Sequence, residues 1–521
     1  MTNPSTLYRG GVLHCPADPS ATALLVSGGR IAWLGTDGDA PPADRVVDLG
    51  GALVTPAFVD AHVHATDTGL ALSGLELSGV RSAGQLLDAV AGFAAGLPAD
   101  AVVLGHGWDE SGWSDPTLPD AAALDRAAGG RRVYLSQASI HSALVSSALL
   151  AACPQAERAA GYDASGWLRR DAHHVVRAAA QGSVSRAQRV AAQRVALAHA
   201  ASLGIAAVHE CGGPEISDEE DFTGLLAISG AGVPEVYGYW GELGGAARAR
   251  ELGAVGAGGD LFADGALGSR TAHVSQPYGD GDGCGHGYLT VEQVRDHLLD
   301  CAAHGMQGGF HAIGDAAIGT VLDGFAAAAR TVGVERLRAA RHRIEHAEVM
   351  NKRLIARFVE YGVVASMQPA FDRLWGGAGR MYEARLGLDR SLESNPMGAM
   401  HSVGVALAFG SDSPVTPLDP WGSVRAAAAH HNPAQRMGVR SAFAAHTRGG
   451  WRAVHLDVEG VLALGAPATF AVWSTPAGVE RGLPVLLAED PEQRGPDDPT
   501  PLPVCRRLVL RGEVIYEEGS S

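Results

Sequence analysis

Apolar runs of strand length alternate with stretches of helical period through most of the chain. The helical stretches are rich in alanine and arginine, as in residues 184–201 and 291–304. Repeated strand-then-helix order favours a parallel sheet, either open or closed into a barrel. We therefore predict an α/β fold built on a parallel sheet.

The two ends of the chain have a different pattern. Short β-type runs separated by Gly, Asp and Pro fill residues 1–55, and similar runs recur between residues 469 and 516. Matching patterns at both termini predict that residues 1–55 and 455–521 pair into one small β-sandwich domain. Residues 56–454 are then the α/β domain.

One part of the central region, at about residues 66–180, does not follow the strand-then-helix order. This part is rich in Gly, Asp, Ser and Trp between shorter apolar runs. We predict that it is a long insertion near the end of the first strand, of the kind that can act as a lid.

Composition narrows the functional classes. The chain has 521 residues, 46% hydrophobic and 19% charged, as expected of a globular protein. Its formal charge of −17 and its lack of a basic run argue against nucleic acid as a partner. Neither a secretory signal nor a membrane-spanning apolar run is present, so we predict a cytoplasmic protein. A small molecule is the expected substrate. Soluble enzymes are commonly homo-oligomers, and a homodimer is therefore an open expectation.

Several of the strand-like runs end in side chains that can bind a metal or carry a proton. These runs are residues 57–64, 205–210, 309–315, 342–346 and 405–412. An α/β barrel places its chemistry at such strand ends. The pattern therefore predicts a candidate active site at one end of the sheet.

His62 and His64 are the first candidate ligands, because residues two apart on a strand point to the same side. An isolated pair of this kind is at least as often two hydrogen-bonding histidines. Three further strand ends carry His311, His346 and Asp412, and neutral imidazoles with a carboxylate suit zinc or a similar first-row ion. Five such residues at strand ends together predict a metal site.

The same motifs resemble a known family. Residues 55–64 are similar to the opening strand of the amidohydrolase superfamily. Further segments resemble its YtcJ-like branch, namely residues 261–272, 311–317, 343–347, 366–369 and 409–420. The resemblance runs nearly end to end. It implies a (β/α)₈ barrel that carries one or two divalent metals, a small β-sandwich made from both termini, and hydrolysis of a C–N bond.

The resemblance also implies a role for each candidate residue. His62 and His64 match the ligands of the first strand, His311 and His346 those of the fifth and sixth strands, and Asp412 the carboxylate of the eighth. A bound divalent ion, with zinc the expected one, activates water, and Asp412 then acts as the general base. The predicted activity is hydrolysis of a non-peptide C–N bond in an amide or cyclic amide.

The chain departs from the branch at Asp260. At this position the branch normally has a lysine, carbamylated so that it bridges two metals, whereas Lys352 is the only lysine of this chain and lies beyond the sixth strand. Asp260 could bridge as a plain carboxylate, although it is much shorter than a carbamylated lysine. Glu210 is an alternative bridge, with ordinary hydrogen bonding as its other role. One metal and two metals are both open.

Two further residues are candidates for binding the substrate. Arg270 could bind a substrate carboxylate, and it could equally be an ordinary ion-paired arginine. His141 matches a histidine of the branch, although the residues around it differ from the branch pattern. Asp315, Glu345 and Gln368 are expected to orient ligands or to line the pocket.

Two other functions fit the same residues. A catalytically silent metal-binding or regulatory relative would have kept the barrel and lost turnover with the bridging lysine, so it would bind metal without hydrolysing any amide. A hydrolase of an ester or lactone bond would use the same activated water on a different bond. Retention of Asp412 argues against the first alternative, since a metal scaffold has no need of a base.

Overall fold

The computed structural model describes residues 4–138, 142–490, 493–495 and 497–519. The chain divides into two compact units. The first unit comprises Met1–Ala65 and Leu197–Ser521, and the second comprises Thr66–Ala196. The second boundary lies within the helix Arg186–Ser202.

The first unit is built around a parallel sheet of eight strands. In chain order they are β1 (Phe58–Val63), β2 (Ile205–Gly212), β3 (Glu235–Trp240), β4 (Gly256–Ala257), β5 (Gln307–Ala312), β6 (Arg343–His346), β7 (Val364–Met367) and β8 (Ala406–Phe409). Each strand pairs in parallel with the next. Most of these strand residues are buried, which explains why the strands appear in the sequence as continuous apolar runs.

The sheet curves until its last strand approaches its first. The backbone N–H of Asp412, after β8, donates to the carbonyl of His62 in β1 at 2.8 Å, and the N–H of His64 donates to the carbonyl of Ser413 at 2.9 Å. The result is an almost closed parallel barrel, so the predicted α/β barrel of the TIM type is confirmed.

Helices connect the barrel strands and follow the last of them. They are Glu219–Ile228, Ala246–Glu251, Val291–His304, Asp315–Val332, Val334–Ala340, Lys352–Tyr361, Pro369–Trp375, Met381–Leu386, Leu388–Glu393, Met397–Ser402, Pro420–Ala428, Val439–Ala445 and Arg448–Ala453. Their ends follow local rules. The helix Val291–His304, for example, begins with a capping box between Thr290 and Gln293 and ends at Gly305 in the left-handed conformation.

Strands from both termini share one sheet. Its order is Val12–Leu13, Leu53–Pro56, Phe470–Ser474, Val504–Leu510 and Glu513–Glu517. A four-stranded sheet has the order Arg30–Gly35, Ala23–Ser27, Ser5–Arg9 and Arg45–Asp48, and Val479–Glu480 pairs with Leu483–Pro484. One hydrophobic cluster contains Leu24 and Ile31 from the four-stranded sheet and Phe470 and Val509 from the other. A separate sandwich domain made of residues 1–55 and 455–521 stays a prediction.

The second unit has a sheet and hydrophobic clusters of its own. The sheet order is Trp167–Arg169, Ser142–Val145, Val133–Gln137, Val103–Trp108 and Leu75–Glu76. The helices of this region are Ala65–Ser73, which begins at the boundary, Ala83–Ala95, Ala121–Ala127, Ser147–Ala151 and Arg170–Gln181. Short 3₁₀ helices occur in both units, at Asp37–Asp39, Glu110–Gly112, Pro154–Arg158 and Pro433–Gln435. The unit covers the insertion predicted at about residues 66–180 and extends beyond it.

In the described part of the chain, no single helix is both long and apolar enough to span a membrane. The pair Asp315–Val332 and Val334–Ala340 meets the requirement only when taken together, and the two helices are bent by 118° at their junction. Many of the apolar residues of the longer helix, such as Ile318 and Val321, are buried.

We predict that Gly204→Ala destabilises the protein more than Gly232→Ala does. Both glycines have a left-handed φ, +76° and +74°, so alanine costs about 1 kcal/mol at either one. An added Cβ at Gly204 would lie 2.3 Å from the ring of Trp473, whereas nothing lies within 4 Å of the one at Gly232. The clash should add about 1–3 kcal/mol. Chemical denaturation measures the difference, and equal losses for the two variants would contradict this packing.

Candidate metal centre

The carboxyl ends of the barrel strands bring the predicted ligands together. His62 lies in β1, His64 follows it, and His311 and His346 lie near the ends of β5 and β6. Asp412 follows β8. Because neighbouring parallel strands end on the same side of the sheet, these side chains meet at one edge. Asp260, in the segment after β4, reaches the same place.

The first group of ligand atoms contains two histidines and two carboxylates. Nε2 of His64 lies 3.2 Å from Oδ2 of Asp260 and 3.2 Å from Oδ1 of Asp412. Nε2 of His62 lies 3.5 Å and 3.4 Å from the same two oxygens. The four ligand atoms all lie within 4.8 Å of one another. This spacing is compatible with one ion between them.

The second group uses the other oxygen of Asp260. Oδ1 of Asp260 lies 3.4 Å from Nδ1 of His311 and 3.5 Å from Nε2 of His346. Each carboxylate oxygen therefore faces a different set of imidazoles. The segment that carries Asp260 can come this close to β5 because residue 258 is a glycine. A Cβ at Gly258 would lie 2.2 Å from the backbone nitrogen of Gly309.

The donor atoms fit a metal ion. Nε2 of His62, Oδ1 of Asp260, Nδ1 of His311 and Nε2 of His346 are buried and have no hydrogen-bond partner among the residues that the structure describes. Buried polar atoms are nearly always hydrogen-bonded, so several orphaned ones facing each other need a missing partner. Imidazole nitrogens and carboxylate oxygens are ligands of zinc and related ions. A divalent cation would satisfy these atoms.

Two of the histidine rings are held by acceptors on their far side. Nδ1 of His62 donates to Oε2 of Glu345 at 2.9 Å, and Nδ1 of His346 donates to Oε1 of Gln368 at 2.8 Å. With the proton on Nδ1, the lone pair on Nε2 faces Asp260. Burial raises the pKa of Glu345, but the charge of Arg343 and the contact with His62 outweigh burial and hold the pKa below its ordinary value. Glu345 and Gln368 thus orient the rings of two candidate ligands, and their role in a metal site stays a prediction.

The electrostatics of the site reflect the crowding of carboxylates and imidazoles. Burial lowers the pKa of His64, but hydrogen bonds and charges from Asp260 and Asp412 outweigh burial and raise the pKa well above its ordinary value. Burial raises the pKa of Asp260, but the neighbouring histidines outweigh burial and hold the pKa well below its ordinary range. The carboxylate of Asp260 is therefore an anion that attracts positive charge into the site.

The backbone at the strand ends is unusual. His346, Ala347 and Asp412 have positive φ angles of 69°, 48° and 57°, which are costly for residues other than glycine. Gly410 allows the close packing beside them, since a Cβ there would lie 2.5 Å from the backbone nitrogen of His62. Strain of this kind commonly accompanies functional sites.

Two of the other acidic candidates have local partners. Oε2 of Glu210 accepts a hydrogen bond from the backbone N–H of Ala65 at 2.7 Å, and within the described residues Glu210 belongs to neither ligand group. This contact matches the hydrogen-bonding role considered for Glu210. Asp315 accepts hydrogen bonds from the backbone N–H and the hydroxyl of Ser275, so its carboxylate holds a loop.

Of the two candidates for substrate binding, Arg270 is not brought to either ligand group by any described contact. The side chain of Arg270 is 44% exposed, and its guanidinium donates to both carboxylate oxygens of Asp280, at 2.9 Å and 2.8 Å. His141 lies outside the described residues. Substrate binding by Arg270 and His141 stays a prediction.

Two buried charged residues at the site were not predicted. Asp60 accepts hydrogen bonds from the backbone N–H groups of Ser411 at 2.9 Å and His62 at 3.2 Å, and burial raises its pKa to about 6. Arg343 forms a buried ion pair with Glu345. Both residues stand two positions before a residue of the site on the same strand. This spacing, which predicts a shared side of the sheet, is the signal that could have identified them.

Comparison with known proteins agrees with this geometry. Residues 45–516 match the amidohydrolase family, and the chain therefore belongs to that family. Within it the chain is YtcJ-like: it is 26% identical to the putative amidohydrolase YtcJ of Bacillus subtilis, over 98% of this chain and 99% of that relative. The predicted family and branch are confirmed. Membership implies a hydrolase with a divalent metal.

Two other similarities are informative. An uncharacterized metal-dependent hydrolase from Pyrococcus furiosus has the same fold, with a TM-score of 0.75 and 24% identity over 90% of this chain and 98% of that one. N-substituted formamide deformylase of Arthrobacter pascens is 32% identical over 136 residues, a quarter (25%) of each chain.

We predict that Gln368→Ala weakens binding of Zn²⁺ by about 10–100-fold, because His346 loses the acceptor that orients its ring. Competition with a chromophoric chelator measures the affinity. Gln293→Ala is the control, since the Gln293 side chain caps an exposed helix end. Equal affinities in the two variants would show that the contact between Gln368 and His346 does not support the site.

Proposed function

We propose that this protein is a metal-dependent hydrolase that cleaves a non-peptide C–N bond, in an amide or cyclic amide of a small molecule. The observation that carries the proposal is the placement of Asp260, whose two oxygens face two separate groups of imidazole nitrogens. The arrangement supports two divalent ions with Asp260 between them. The first would be held by His62, His64 and Asp412.

The second ion would be held by His311 and His346. We propose zinc for both positions, because imidazole nitrogen with carboxylate oxygen is a donor set that zinc prefers. The five unshared ligands come from strand ends of one barrel, which supports a preformed site rather than one assembled by loops.

Asp260 takes the role that a carbamylated lysine has in the branch. Lys352, the only lysine, is exposed and begins the helix Lys352–Tyr361, so it does not offer a carbamate to the buried ligands. The shorter side chain of Asp260 suffices here because both of its oxygens already lie 3.2–3.5 Å from the imidazole nitrogens. The protein itself would therefore supply the bridging carboxylate.

Asp412 would act as the general base. The chemistry that a divalent ion held by these residues would supply is a lowered pKa of bound water and a polarised carbonyl oxygen. The backbone N–H of Asp412 is fixed on the carbonyl of His62, and its Oδ1 lies between His62 and His64. A carboxylate held in this way can take the proton of the attacking water and pass it to the leaving nitrogen.

The C–N bond is the best-supported target among those that activated water can attack. The family itself and the partial similarity to a formamide deformylase both support it. A panel of N-formyl amines, cyclic amides, esters and lactones separates the alternatives. Bound metal without hydrolysis of any compound would indicate a silent relative, and turnover of esters or lactones alone would indicate a different bond.

We predict that Asp412→Asn lowers kcat/KM for the best substrate of the panel by about 10²–10⁴-fold, because the amide cannot accept the proton. Steady-state kinetics measure the effect, and metal analysis of the same samples checks that the site stays loaded. Asp419→Asn is the control, since Asp419 caps the following helix through the N–H of Gly422. Full activity in Asp412→Asn would rule out Asp412 as the base.

We predict that Asp260→Ala lowers the metal content per chain, whereas Glu210→Gln, which alters a buried carboxylate outside both ligand groups, does not. Atomic spectroscopy on protein purified without chelators measures the content. Reconstitution of the metal-free protein should also proceed without bicarbonate, because no carbamate is needed. Metal content unchanged in Asp260→Ala, or a requirement for bicarbonate, would contradict the bridging role.

A further inference from the structure

We infer that Arg343 is a positioning residue for the proposed metal centre, acting on His62 through Glu345. The inference rests on the proposed function, because it concerns how one proposed ligand is held. Among the described hydrogen bonds, Arg343 makes none to the atoms that we propose as metal ligands.

Arg343 and Glu345 are charged residues in the interior of the barrel. They stand two apart on β6, so their side chains lie on the same side, and both are fully buried. Barrel interiors are usually packed with branched apolar side chains. A buried ion pair is costly to desolvate and is often no more stabilising than apolar residues of the same size. Its presence at this position therefore calls for a role other than packing.

The guanidinium of Arg343 is held from several barrel strands. It donates to the Ala61 carbonyl of β1, to Nδ1 of His209 in β2 at 3.0 Å and to the Ser366 hydroxyl of β7 at 2.9 Å. The Cζ atom of Arg343 also lies 4.3 Å from the centre of the Tyr239 ring in β3. Contacts from so many strands leave the guanidinium a single orientation.

This orientation fixes the carboxylate of Glu345. Nε of Arg343 donates to Oε1 at 2.6 Å and Nη2 donates to Oε2 at 2.8 Å, a two-pronged pairing that sets the plane of the carboxylate. Oε2 then accepts from Nδ1 of His62 at 2.9 Å. A carboxylate can only accept, so the proton of the His62 ring is on Nδ1.

The consequence for His62 is a defined ring orientation. In the neutral ring, which is the form that binds a metal, Nε2 carries the lone pair, and this atom lies 3.5 Å from Asp260 and 3.4 Å from Asp412. His346, by contrast, is held by the neutral amide of Gln368. The orientation of His62 therefore depends on a buried charge pair. Removal of Arg343 would leave Glu345 a buried anion without its cationic partner.

The test compares Zn²⁺ affinity in the wild type, Arg343→Met, Glu345→Gln and the double variant. Each single variant should weaken binding by about 10–100-fold. Because both residues act through one contact, the double variant should bind no more weakly than Glu345→Gln. Substitution by Co²⁺ gives a visible spectrum that reports the ligand field, and it should change in the same variants.

Arg511→Met is the matched control. Arg511 pairs with Glu235 through the same two nitrogens, at 2.6 Å and 3.1 Å, and it also pairs with Glu459. Its side chain is 39% exposed, so the melting temperature of Arg511→Met shows the structural cost of losing a similar but less buried pair. Arg343→Met binding Zn²⁺ as tightly as Arg511→Met would overturn the inference.

If Arg343→Met does not fold, the double variant decides the question, because it leaves no unpaired buried charge. Affinity equal to that of Glu345→Gln supports the inference, and a further tenfold loss overturns it. A wild-type protein that binds no Zn²⁺ or Co²⁺ would instead overturn the proposed function, a result distinct from equal affinities in the variants.

Discussion

The closure of the barrel between β1 and the segment after β8 is the constraint on which the site depends. Two backbone hydrogen bonds, from Asp412 to His62 and from His64 to Ser413, join the first and last strands at their carboxyl ends. The same bonds place the carboxylate of Asp412 beside the rings of His62 and His64. The contacts that close the barrel therefore also bring Asp412 to His62 and His64. A shift in the register of either strand would disturb the closure of the barrel and the placement of these three residues.

Charge balance is the second constraint. Buried carboxylates and imidazoles are costly unless each has a partner. In this chain Arg343 balances Glu345, whereas Asp260 faces nitrogens of His62, His311 and His346 that have no hydrogen-bond partner in the described residues. The balanced pair contacts His62 through the hydrogen bond from its Nδ1 to Oε2 of Glu345, and the unbalanced group is the place where we propose that cations bind.

Periodicity predicted the parallel sheet and the candidate ligands at its strand ends, and the resemblance to the family implied that the sheet closes into a barrel. His62 and His64 share a side through their spacing of two, and the remaining ligands end apolar strands. The reach of Asp260 could not be predicted, because it depends on the approach of Gly258 to Gly309, which are far apart in the chain. Arg343 was missed because pattern alone does not show that a charged residue is buried. The contact of Arg270 with Asp280 depends on loop geometry that pattern does not fix.

Anomalous diffraction at the zinc edge, from crystals of the zinc-loaded protein, would locate the metal relative to Asp260. We expect two peaks, each about 2.0–2.2 Å from a different oxygen of Asp260. One peak should also contact His62, His64 and Asp412, and the other His311 and His346. A single peak that contacts only one of the groups, or zinc bound elsewhere, would contradict the bridging role of Asp260.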